Sequence, residues 1–154
     1  ATVIGGSGVD TVTTGTGDDT VTGNGGDDVL NGEAGTDTVS FADKTDAVTL
    51  TLNGATTANA TIGAETDQVV NFENIIGGAG NDILIGGNHL DSLYGGDGDD
   101  RFINVGEFGN DFFSGGDGYD TVEFSHIYDT NNLRDVNINF DLQNNTISLS
   151  CVSM

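Results

Sequence analysis

A nine-residue unit occurs nine times in this chain, and every copy carries aspartate at its sixth position. The copies read GGSGVDTVT (5–13), TGTGDDTVT (14–22), GNGGDDVLN (23–31) and GEAGTDTVS (32–40). After an intervening stretch come GGAGNDILI (77–85), GGNHLDSLY (86–94), GGDGDDRFI (95–103), GEFGNDFFS (106–114) and GGDGYDTVE (115–123). The sixth residues are Asp10, Asp19, Asp28, Asp37, Asp82, Asp91, Asp100, Asp111 and Asp120. Glycine fills the first and fourth positions in eight of the nine copies, the exceptions being Thr14 and His89. The eighth position is always large and apolar: Val12, Val21, Leu30, Val39, Leu84, Leu93, Phe102, Phe113 and Val122. A unit of fixed period that cannot bury its own apolar side chain must stack on its neighbours, so the fold is expected to be a repeat array.

Positions 7–9 are β-branched or apolar triplets and read as short strands. Positions 1–6 are glycine-rich and read as turns that need positive φ. Six turn residues and three strand residues make half of a coil. Two units make an 18-residue coil with turns on opposite edges. Strand side chains alternate, so position 8 points in while positions 7 and 9 point out. Coils stack about 4.8 Å apart, which sets Asp10 against Asp28 and Asp19 against Asp37. Like charges at that spacing in a partly dry turn repel strongly. A divalent cation between them reverses the sign. Carboxylates with turn carbonyls form an all-oxygen donor set, which favours calcium over zinc or copper. Magnesium suits it less well, because it holds on to its waters.

The pattern GGxGxDxUx, with U large and apolar, resembles the RTX (repeat-in-toxin) family over residues 5–40 and 77–123. That nonapeptide is a known calcium-binding β-helix repeat. The resemblance implies a right-handed parallel β-roll with Ca2+ between equivalent turns of adjacent coils. It implies further that each ion takes the position-6 aspartate of two turns and the backbone carbonyls of positions 2 and 4 of one turn. On that rule Gly6, Gly8, Gly78, Gly80, Gly96 and Gly98 are expected donors. Pairing each repeat with the next but one gives two ions in the first block and three in the second. Five divalent ions would move the formal charge from −22 to −12. His89 is predicted to strain the turn carrying Asp91. Asn104 and Val105, inserted between repeats, are predicted to offset Asp91 from Asp111. Glu33 and Glu107, at position 2, read as solvated.

The expected fold is all-β, a β-helix solenoid with a β-strand insert between two repeat blocks. Residues 1–40 form the first block, 41–76 a strand-loop-strand insert, 77–123 the second block, and 124–154 a truncated C-terminal strand extension. The insert is four nonapeptides long and could keep the array in phase. Its first nine residues, FADKTDAVT, place Asp46 and Val48 at positions 6 and 8, making Asp46 a candidate ligand. AVTLTLN (47–53) alternates as a strand, 53–67 reads as a loop, and QVVNFENII (68–76) reads as a returning strand. Residues 120–145 parallel 37–53, so the module reads as duplicated and as an excerpt from a longer protein. If the C-terminus is natural, SLSCVSM (148–154) could belong to an uncleaved secretion signal.

The formal charge of −22 rests on 25 acidic residues against Lys44, Arg101 and Arg134. It argues against nucleic acid or an anionic membrane surface as partner. No apolar run is long enough to span a bilayer as a helix. Cys151 is the lone cysteine, so no internal disulfide staples the fold. Low hydrophobicity, high charge and 25 glycines favour the unfolded chain, so a cationic partner is expected to complete the fold. No HExxH, GxSxG or Walker motif is present, and His89 and His126 lie far apart, so no enzymatic activity is expected. The function predicted is a monomeric, calcium-binding module of a large secreted bacterial protein. Family resemblance implies export by type I secretion machinery while unfolded, then folding on calcium outside the cell. The alternatives are an extracellular recognition module (polysaccharide, adhesion or ice binding) and the non-catalytic tail of a secreted protease, lipase or epimerase.

Overall fold

Each repeat spends its apolar triplet on one short strand, and the strands stack as predicted in a computed structural model that describes residues 1–87, 89–104, 111–124 and 139–141. The N-terminal strands are β1 (Thr2–Ile4), β2 (Thr11–Thr13), β3 (Thr20–Thr22), β4 (Val29–Asn31) and β5 (Thr38–Ser40). The insert supplies β6 (Val48–Thr51), β7 (Ala58–Ile62), β8 (Glu65–Val70) and β9 (Asn74–Ile76). Then follow β10 (Ile83–Ile85), β11 (Ser92–Asp97), β12 (Arg101–Asn104), β13 (Phe112–Asp117), β14 (Thr121–Phe124) and β15 (Asn139–Asp141). No helix occurs among the described residues.

Two sheets face each other. One has the order β1-β3-β5-β9-β11-β13-β15, the other β14-β12-β10-β6-β7-β8-β4-β2. Every pairing is parallel except β6–β7 and β7–β8. Repeats alternate between the sheets, so each 18-residue pair is one coil, and the chain is a β-solenoid of about six turns, the parallel β-roll expected. Position-8 side chains from both sheets meet in the middle, where Val21, Leu30, Val39, Leu84, Leu93 and Phe102 are fully buried. Like positions pair with like: Val3 with Val21, Val12 with Leu30, and Leu84 with Phe102.

The insert differs from its sequence reading in two ways. The stretch 53–67 is not a loop throughout, because β7 and the start of β8 lie within it. Residues 68–76 are not one strand: the chain turns at Asn71, in the left-handed region at φ 57°, and crosses from one sheet to the other. A strand-loop-strand insert therefore becomes a three-strand meander, β6-β7-β8, plus a separate strand β9. The meander places three strands between β4 and β10, where the facing sheet has only β9 between β5 and β11. One side of the roll is thus two strands wider at this level, about 10 Å at the usual spacing. Phe41, Leu52, Ala60, Ile62 and Phe72 are buried and join the core there.

In the C-terminal segment, β15 stacks on β13 with Phe140 opposite Phe113. His126, Arg134, Cys151 and SLSCVSM lie outside the described residues, as does Glu107.

Candidate metal centre

The turn that precedes each strand is built around the position-6 carboxylate. Its Oδ2 folds back over the position-1 glycine, so a Cβ there would strike it. A methyl on Gly5 would sit 2.7 Å from Asp10 Oδ2, and one on Gly86 2.8 Å from Asp91 Oδ2. The same clash would occur at Gly23, Gly77, Gly95 and Gly115 against Asp28, Asp82, Asp100 and Asp120. Several glycines at positions 2 and 4 are there for a different reason, which is close stacking. A Cβ on Gly26 would lie 2.7 Å from the carbonyl carbon of Gly8. Gly96 and Gly98 sit over the carbonyl oxygens of Gly78 and Gly80, and Gly116 and Gly118 over those of Gly96 and Gly98. The φ values of Gly26, Gly96 and Gly98, 119°, 120° and 112°, belong to the region that L side chains avoid. The six glycines expected to donate carbonyls thus line two columns along one edge of the roll, beside the aspartates.

The aspartates themselves form ladders. The backbone N–H of Asp10 donates to Asp28 Oδ1 at 2.8 Å, and that of Asp19 to Asp37 Oδ1 at 2.8 Å. Asp82 donates likewise to Asp100 at 2.8 Å, and Asp100 to Asp120 at 2.9 Å. Asp91 reaches Asp111 Oδ1 at 3.1 Å despite the two extra residues between their repeats, so the predicted offset does not break that rung. His89 is not in the left-handed region, and the Asp91 turn keeps its internal bond from Gly87 N–H to Oδ2 at 2.6 Å. The strain predicted there is absent. Glu33 is exposed.

Two ladder members were missed in the sequence. Asp28 N–H donates to Asp67 Oδ1 at 2.9 Å, and Asp37 N–H to Glu73 Oε2 at 2.8 Å. Both stand at position 6 of degenerate units whose position-8 residues, Val69 and Ile75, pair with Leu30 and Val39. The readable signal was an acidic residue two places before a buried aliphatic one, without the flanking glycines. Asp46, by contrast, is exposed and lies off the ladder. Leu50 pairs with Leu84, so Val48 takes the sixth-position slot and its N–H donates to Asp82 Oδ1 at 2.8 Å. A two-residue slip keeps the same side chains inward, so alternation could not separate the two registers.

With one oxygen committed to the ladder, the other is left over. Asp19, Asp28, Asp37, Asp67 and Asp100 each bury Oδ2 with no hydrogen-bond partner. A buried carboxylate oxygen without a donor is costly. Burial pushes Asp100 up to about 7, with the neighbouring Asp82, Asp120 and Asp99 charges adding to it. Burial likewise lifts Asp67 and Asp91 to about 6. It also raises Asp28, Asp37, Asp82, Asp111 and Asp120. Asp19 is lowered instead, by its hydrogen bond from the Ala1 ammonium. Among the described residues no three acidic, histidine or cysteine side chains gather into a ready cluster. A cation here would take two carboxylates per step and find its other donors on the backbone. Unpartnered anionic oxygens beside glycine carbonyls fit a hard cation such as Ca2+.

The model of the RTX calcium-binding nonapeptide repeat, in four copies, matches residues 4–39, 72–102 and 105–122. The chain belongs to that family, and its repeats bind Ca2+. Such repeats are typical of secreted bacterial proteins. No curated protein matches the chain. No helix among the described residues is long and apolar enough to cross a membrane.

Proposed function

We propose that this chain is a calcium-triggered folding module, unfolded at cytosolic calcium, passed through a type I secretion channel in that state, and folded outside. The observation that carries the reading is the set of five buried Oδ2 atoms without donors, two on one edge of the roll and three on the other. Aspartates 10, 19, 28, 37, 82, 91, 100, 111 and 120 supply the carboxylates, and the turn glycines, Gly6, Gly8, Gly78, Gly80, Gly96 and Gly98 among them, supply carbonyls. Asp67 and Glu73 extend the same rows through the insert. Bound calcium supplies the positive charge that lets these carboxylates stack. The residues supply the rest: position-1 glycine makes room for Oδ2, and positive-φ glycines let successive turns lie against each other.

The energetics suit a switch. Calcium at about ten times its Kd stabilises a site by about 1.4 kcal/mol. Kd values near 10⁻⁴–10⁻³ M are typical of extracellular calcium modules. Five sites would then contribute about 7 kcal/mol, the size of a small domain's whole stability. At submicromolar calcium that contribution vanishes. On this reading the module binds and folds rather than catalyses. Circular dichroism in EGTA and then in millimolar calcium tests it. A random-coil spectrum converting to a β spectrum is expected, and an equally ordered spectrum in EGTA would overturn the proposal.

A further inference from the structure

Three asparagines precede a glycine in this chain, at Asn24–Gly25, Asn31–Gly32 and Asn53–Gly54. A glycine has no Cβ to shield its own backbone nitrogen. That nitrogen can attack the side-chain carbonyl carbon of the asparagine before it. In an unfolded chain the three pairs are chemically alike. The fold treats them differently.

In the two pairs that belong to repeats, the attacking nitrogen is committed. Gly25 N–H donates to Gly6 O at 3.2 Å, and Gly32 N–H to Val70 O at 3.2 Å. Both bonds join one coil to the next. The asparagines are held as well. Asn24 Nδ2 donates to Gly5 O at 2.8 Å, and its backbone carbonyl accepts from the Lys44 ammonium, which also pairs with Glu65. Asn31 Oδ1 accepts from Glu33 N–H at 3.0 Å and from Asn71 Nδ2 at 2.8 Å. Gly32 is buried, and a Cβ there would collide with the Asn71 carbonyl oxygen.

Asn53–Gly54 lies in the turn between β6 and β7, outside the repeats. Asn53 is exposed. Among the described residues its side chain has no hydrogen-bond partner, and neither does the Gly54 N–H. The turn is held by its carbonyls: Asn53 O accepts from Thr56 N–H at 3.0 Å, and Gly54 O from Asn71 N–H at 2.8 Å. Gly54 has φ 54°, and a Cβ on it would meet only His89 Nε2, at 3.8 Å. No hydrogen bond has to break before this nitrogen reaches the side chain.

We propose that Asn53 is the deamidation site of the folded module, and that coil stacking shields Asn24 and Asn31 from the same reaction. The Gly54 nitrogen bonds to Asn53 Cγ, the Cγ–Nδ2 bond breaks, and ammonia leaves with the Gly54 amide proton. Water then opens the succinimide ring at either carbonyl. Opening at Cγ gives aspartate, and opening at the main-chain carbonyl gives isoaspartate. One water is consumed and one ammonia released, with no change of oxidation state. The product adds a negative charge to a chain that already carries −22, in the insert and off the aspartate ladders.

Peptide mapping by mass spectrometry, after incubation of the whole chain at mildly alkaline pH, tests this. One sample is folded in millimolar calcium, with circular dichroism as the check, and the other is unfolded in guanidinium chloride. In the folded sample Asn53 is expected to deamidate about tenfold or more faster than Asn24 or Asn31, equivalent to an opening cost of about 1.4 kcal/mol or more at the shielded sites. In the unfolded sample the three rates should converge. Asn24 or Asn31 reacting as fast as Asn53 in the folded chain would overturn the proposal. So would the same spread of rates in guanidinium chloride, because neighbouring sequence and not the fold would then set the order. A chain as ordered in EGTA as in calcium would defeat the calcium reading, yet the folded sample and its three rates would still decide this one.

Discussion

The sixth-position aspartate uses its two oxygens differently, and that division explains both the order of the fold and its dependence on a cation. Oδ1 accepts a backbone N–H from the preceding coil and sets the register. Oδ2 faces the turn, and in five aspartates it finds no donor. Asp100 stands in two proposed rungs, with Asp82 and with Asp120. Asp100→Asn keeps an acceptor for Asp82 N–H but removes the charge, so both rungs should weaken. A lost charged contact is worth about 1.5–3 kcal/mol, so calorimetric titration should show calcium affinity at these rungs falling about tenfold or more. Protons should act as a partial substitute for calcium. Asp67, Asp91 and Asp100 have folded pKa values of about 6, 6 and 7, above the unfolded value near 3.9. Between these limits the folded state binds more protons than the unfolded one, so stability falls as pH rises through that window. In chelator, β structure measured by circular dichroism should therefore increase as pH falls from 7.5 toward 4.5. Calcium affinity should decline over the same range. β content in chelator that stayed flat or fell on acidification would contradict the buried-carboxylate argument.

At the scale of turns and strands, the limit is how closely one turn can lie on the next. Gly96 has φ 120° and faces the Gly78 carbonyl oxygen at a separation no methyl tolerates. Gly96→Ala should lower stability in calcium by about 1–2 kcal/mol from backbone conformation alone, and by more once the carbonyl is displaced. Urea denaturation in saturating calcium measures it. The same stacking decides what the sequence could reveal. Where glycine, aspartate and an apolar residue keep their nine-residue spacing, strands, turns and core positions can all be read, because each residue type answers a separate steric or electrostatic demand. In the insert those demands are met by other means. Asn71 takes a left-handed turn, Glu73 replaces an aspartate, and Glu65 with Lys44 replaces a glycine turn, so the ladder continues without its pattern. β7 carries no strand signal of its own, because ANATI (58–62) is weakly apolar, and only pairing with β6 and β8 makes it a strand. Lys44 was legible only as one of three cations, since its partners lie 20 and 21 residues away in sequence.

For the whole molecule, the sheets differ in width and the charge opposes compaction. Among the described residues the seven-stranded and eight-stranded sheets span six and seven intervals, about 29 Å and about 34 Å at 4.8 Å per interval. The eight-stranded sheet is ahead by one strand overall, although the meander alone adds two between β4 and β10. Along the edges run most of the acidic groups behind a formal charge of −22, and that self-repulsion favours an expanded chain whenever the cations are removed. A folded chain of this length has a radius of gyration near 15 Å, and an unfolded one about 40 Å. Small-angle scattering should show the larger value in EGTA and a fall to less than half of it in millimolar calcium. Magnesium at matched ionic strength screens charge equally well but keeps its waters, so it should leave the chain expanded. Compaction by magnesium as complete as by calcium would mean that screening, and not ions seated between stacked aspartates, holds the roll together.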